Sequence, residues 1–92
     1  MERKKYYHYT LEEINGEQEY TYDYLIETEN LEQAIAIANK HAGTFYLDKP
    51  EEVCDGNYVF FGGAVCVEIK SVTETSKEDF VKDMLQRAIL RA

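Results

Sequence analysis

The sequence predicts an α+β domain: an antiparallel sheet of about five strands, built from two hairpins, with two helices packed on it in the order ββαβββα. Three observations predict it. Asn15-Gly16 lies between two long extended segments, and Gly62-Gly63 lies between two more. Asn30 and Ser76 each stand just before a run with apolar residues at helical spacing. The chain has 92 residues and no internal linker, so it reads as a single domain, 1–92.

The first hairpin carries the strongest local signal. Asn and Gly both tolerate positive φ, so Asn15-Gly16 reads as a two-residue turn. That turn places Leu11 opposite Tyr20, Tyr9 opposite Tyr22 and Tyr7 opposite Tyr24 on one face. The other face then holds Glu12 opposite Glu19, His8 opposite Asp23 and Tyr6 opposite Leu25. The aromatic face is the expected core face, because a one-residue slip would mix the two sets.

Asn30 followed by Gln33 has the form of a capping box, and Leu31, Ala34, Ile35, Ala38 and Ala42 make one stripe of a helix that Gly43 is expected to end. Thr44–Leu47 reads as a short strand and Asp48–Gly56 as a charged loop with the only proline. In the second hairpin, 57–61 and 64–72 flank a Gly62-Gly63 turn, pairing Phe60 with Val65 and Tyr58 with Val67. Val59, Phe61, Ala64 and Cys66 would form an apolar strip on its outer face. Ser76 caps the last helix, with Phe80, Val81, Met84, Leu85, Ala88 and Ile89 as its apolar stripe and Arg87 and Arg91 near its end.

Composition narrows the function classes. Eighteen acids against ten Lys and Arg give a net charge of −8, which repels nucleic acid and anionic membranes and favours basic protein partners. The N-terminus lacks the apolar run of a signal peptide and no apolar stretch could span a bilayer, so a cytoplasmic location with reduced cysteines is expected. Cys54, Cys66, His8 and His41 show no metal-ligand spacing, and no nucleophile has a histidine in motif reach. The expectation is a protein with no metal, no cofactor and no catalytic site.

The charge is unevenly placed. No Lys or Arg occurs between Lys5 and Lys40, while Glu12, Glu17, Glu19, Asp23 and Glu27 share the outer side of the hairpin. Glu12 opposite Glu19 would be a destabilising like-charge pair. A local rule broken without compensation marks a surface for function, here one presenting carboxylates to a basic groove in place of phosphates. Tyr6 and His8 would assist, and His8 opposite Asp23 would make that face responsive to pH.

The segment from Glu27 to Lys40, with Glu27, Glu29, Leu31, Gln33, Ala34, Ile37, Ala38 and Lys40, resembles the strand-to-helix passage of small phage-encoded anti-CRISPR proteins that inhibit the type I-F surveillance complex. The resemblance implies a compact inhibitor that occupies a nucleic-acid path on a CRISPR effector in the host cytoplasm. This chain departs from that family in its greater length, negative charge and second hairpin, and no binding residue carries over.

The reading that follows is a non-catalytic protein-binding module, an inhibitor of a basic protein or nucleoprotein complex, working through Glu12, Glu17, Glu19, Asp23, Glu27, Tyr6 and His8. The first alternative is a structural domain that forms a homodimer through Val59, Phe61, Ala64 and Cys66. The second is a small-ligand domain whose tyrosines line a pocket.

Overall fold

The computed structural model describes residues 4–46, 49–54 and 56–88. Its sheet has five antiparallel strands, and the order of strands and helices along the chain is the expected one. β1 (Lys5–Asn15) and β2 (Gln18–Thr28) form the first hairpin, and α1 (Leu31–Gly43) follows. β3 (Glu52–Cys54), β4 (Asn57–Phe60) and β5 (Val65–Thr75) lead to the last helix, α2 (Lys77–Ala88). The spatial order is β2-β1-β5-β4-β3, so β1 lies inside the sheet and β2 at its edge.

β1 alternates between buried and open positions because side chains of a strand point to opposite faces. Tyr7, Tyr9, Leu11 and Glu13 are buried on one face, where they join Tyr58, Phe60, Val65 and Val67. α1 covers this face with Ala34, Ala38 and Ala42, all fully buried, while Leu31 and Ile35 flank the contact and stay exposed. Small residues let the helix approach the tyrosines closely. Two of those ring hydroxyls meet the helix: Tyr58 donates to Asn39 Oδ1 at 2.6 Å and Tyr9 lies 3.1 Å from His41 Nδ1.

The first turn differs from the expected one. The loop is Gly16-Glu17, with Asn15 still a strand residue opposite Gln18. Gly16 alone has a positive φ, +64°, at the first loop position, which a type II′ turn requires. Tyr9 therefore faces Tyr24, Leu11 faces Tyr22 and Thr10 faces Asp23. The gain is physical: Glu12 now faces Thr21 instead of Glu19, and Glu13 accepts a hydrogen bond from Tyr22 at 2.9 Å. Partners move by two positions, so each residue keeps its face and the core assignment holds.

The second hairpin keeps its register, Phe60 with Val65 and Tyr58 with Val67, but its loop is longer. Phe61, Gly62 and Gly63 all have positive φ, so Phe61 and Ala64 leave the strands. Thr44, Phe45 and Tyr46 form a turn and bend, not a strand, and Leu47 lies outside the described residues. The remaining strand comes from Glu52–Cys54, inside the stretch expected to be loop, where it pairs with β4. A bulge between Thr10 and Leu11 leaves Lys70 without a partner on β1, which turns both Ile69 and Val72 toward the core.

The two helices lie on opposite faces. α2 stands over the face away from α1: Phe80 meets the His8 ring edge-on at 5.1 Å and Lys77 lies 5.3 Å from the Tyr6 ring. Ser76 caps it, accepting from Asp79 N at 3.1 Å. No described residue of α2 is fully buried, and Val81 and Leu85 remain exposed. Ile89 and Arg91 lie outside the described residues.

Candidate functional site: the acidic face of the first hairpin

The β1–β2 face opposite α1 holds Tyr6, His8, Thr10, Glu12 and Ile14 from β1 and Glu19, Thr21, Asp23, Leu25 and Glu27 from β2. Glu17 sits beside them in the loop. The expected surface residues thus share one side, but α2 divides them.

At the α2 end the groups are already engaged. Asp23 Oδ1 accepts from His8 Nε2 at 2.7 Å and from Thr10 Oγ1 at 3.0 Å, and Oδ2 accepts from Arg87 Nη1 at 2.7 Å. Burial alone would push the Asp23 carboxyl up, but these hydrogen bonds and the Arg87 charge outweigh it and hold it below the usual range. The His8–Asp23 pair forms diagonally, since Leu25 stands directly opposite His8. Asp83 binds the other side of the Arg87 guanidinium at 3.0 Å, and Glu27 lies 3.9 Å from Lys4. Tyr6, His8 and Asp23 therefore hold the helix on the sheet.

At the turn end the acids are open. Glu12 faces Glu68 of β5, a like-charge pair between central strands in place of the expected Glu12–Glu19 pair. Lys70 reaches Glu68 at 3.6 Å, while Glu12, Glu17 and Glu19 have no ion-pair partner among the described residues. Cys66, next along β5, has its thiol pushed up by burial and by the Glu68 and Glu12 carboxylates, so it is a poor nucleophile here.

The apolar strip expected for self-association does not stay together. Val59 and Cys66 pair on this face. Phe61, at φ +55°, packs instead against Tyr46 at 5.1 Å and sits beside Phe60, a core residue. Ala64 is exposed in the loop. One open groove, of about 460 Å³, is lined by Ile35, Asn39, Gly56, Ile69 and Val72, and no tyrosine is among these residues.

No protein family, curated protein or solved structure matches this chain.

Among the described residues no group of three His, Cys, Asp or Glu could hold a metal ion, and no helix is long and apolar enough to cross a membrane. Sequence reasoning missed two members of the surface, Glu68 and Arg87. Glu68 joins only because β5 lies beside β1, a non-local pairing that periodicity does not encode. Arg87 carried a signal, its place in the last turn of an acidic-to-basic helix, but not its partner.

Proposed function

We propose that the chain is a non-catalytic protein-binding module whose working surface is the acidic turn end of the first hairpin, Glu12, Glu17 and Glu19, with Glu68 beside them. The observation that supports it is the divided charge of this face. Asp23 is spent on Arg87, whereas Glu12 and Glu68 stand opposite each other at a cost to the sheet. A basic partner would turn that repulsion into attraction and speed encounter. The partner is a basic, nucleic-acid-handling protein or complex in the cytoplasm, and CRISPR effectors are the class suggested by the resemblance of residues 27–40.

Pull-down from bacterial lysate at low and high salt tests this, run in parallel with the E17K/E19K double variant. A basic protein held by the wild type at low salt, released at high salt and lost by the variant is the expected result. Equal capture by both proteins would remove the assigned surface.

A further inference from the structure

We propose that β2 is a docking edge for an extended basic segment of the partner, which adds to the sheet as a sixth strand. This rests on the binding reading above and specifies its geometry. β2 is an edge by strand order, and it runs for eleven residues, about 37 Å at ~3.4 Å per residue. The opposite edge, β3, has only three residues. β2 pairs with β1 without a register shift along its whole length and contains no Pro or Lys. Bulges, prolines and lysines, all of which stop an edge from pairing, are absent here; the charges this edge does carry, Glu19, Asp23 and Glu27, oppose an acidic or identical strand but not a basic one.

The backbone groups on offer follow from the ladder. Asn15 and Gln18 close a two-residue loop and so form a hydrogen-bonded pair, and bonded and non-bonded pairs then alternate. Glu19, Thr21, Asp23, Leu25 and Glu27 occupy the non-bonded positions, which turns their N–H and C=O groups away from β1. Among the described residues none of these groups has another backbone partner.

Charge selects the occupant. An added strand would have Glu19 and Glu27 beside it on one face, and Tyr20, Tyr22 and Tyr24 on the other, Tyr20 being the most exposed. A second copy of this edge would bring its own acids against these. A segment alternating basic and apolar residues meets carboxylates with one set and tyrosine rings with the other, while its main chain satisfies the open hydrogen bonds.

A blocked peptide of about nine residues, alternating Lys and Val, is the probe, titrated at low salt into isotope-labelled protein. Saturating peptide is expected to slow amide exchange at Thr21, Asp23 and Leu25 by at least ~10-fold, and leave Tyr22 and Tyr24, already bonded to β1, unchanged. The same peptide with every amide N-methylated keeps its charge and is expected to bind at least ~10-fold more weakly. Equal binding of both peptides without amide protection overturns the strand-addition proposal and leaves the acidic surface standing. No binding of either peptide also overturns the proposal, and the acidic surface is then judged separately by the E17K/E19K comparison. Protection that rises with protein concentration alone would assign the edge to a second copy and overturn the basic occupant.

Discussion

Asp23 in the middle of β2 and Arg87 in the last turn of α2 are joined at 2.7 Å across 64 residues of sequence, and this pair anchors a helix that buries no residue fully. Phe80 meets the sheet edge-on at His8 while Val81 and Leu85 stay exposed, so the polar anchor contributes much of what docks the helix. Arg87→Ala is expected to speed amide exchange through Val81–Leu85 while lowering global stability by less than about 1 kcal/mol, because the guanidinium is half exposed. Asp23→Ala removes the acceptor of His8 and Thr10 as well and should cost about 1–3 kcal/mol by denaturant unfolding. Unchanged exchange in α2 after Arg87→Ala would show that the helix does not depend on this anchor. Because the folded carboxyl sits below its ordinary value, the stabilisation it gives is complete above the ordinary carboxylate range and is lost as pH falls through the depressed folded value.

The first turn separates two neighbouring residues cleanly. Gly16 holds φ +64° with nothing within 4 Å of an added Cβ, so Gly16→Ala meets backbone strain and no clash. That strain is about 1–2 kcal/mol. Asn15 is an ordinary strand residue, and Asn15→Ala should change stability by no more than about 0.5 kcal/mol. Chemical denaturation of both variants measures the contrast. A larger loss for Asn15→Ala than for Gly16→Ala would restore the Asn15-Gly16 turn.

His41 supplies a pH dependence of its own. Its ring lies edge-on to Tyr9, Tyr24 and Phe45, and burial among them pushes its pKa below the ordinary histidine value. The unfolded chain then binds a proton more readily than the folded one in the window below about 6.5. Stability is complete above that value and declines as pH drops toward the folded pKa. His41→Phe should flatten the stability profile between pH 7 and 5, although the Asp23 dependence at lower pH persists. An identical slope in the variant would exclude His41 as its source.

What could be read from the sequence was whatever depends on period and on local turn chemistry. Tyr7, Tyr9 and Leu11 fell on the buried face because strand alternation survives an even shift of register, and Phe60 with Val65 paired as the glycines implied. Asn30 was legible as a cap because Gln33 N lies 2.8 Å from its side chain, although the Gln33 amide reaches Thr28 and Glu29 and not the cap's own N–H. The misplaced strand had no comparable signal: Thr-Phe-Tyr has stronger β character than Glu-Val-Cys, and only the presence of β4 makes Glu52–Cys54 a strand. The acidic surface was half legible. Its residues share a face by parity, but their division by α2 depends on contacts 64 residues apart.

Gly43 shows how a correct signal can have a different cause. The glycine stands where a helix C-terminus was expected, yet it is the last residue of α1, has no positive φ, and is followed by Thr44 as the cap. A Cβ at this position would come 3.2 Å from Tyr58 Cε1. Tyr58 has little freedom to retreat, since its hydroxyl is bonded to Asn39 at 2.6 Å and its ring is buried. In a helix, Ala is normally favoured over Gly by about 1 kcal/mol. Overpacking against a fixed ring costs about 1–3 kcal/mol, so Gly43→Ala is expected to be net destabilising. Releasing the ring should reverse the balance: in an Asn39→Ala background the same substitution should cost less, with a coupling of at least about 0.5 kcal/mol in a double-mutant cycle. Additive effects in that cycle would mean that Tyr58 is not what requires glycine here.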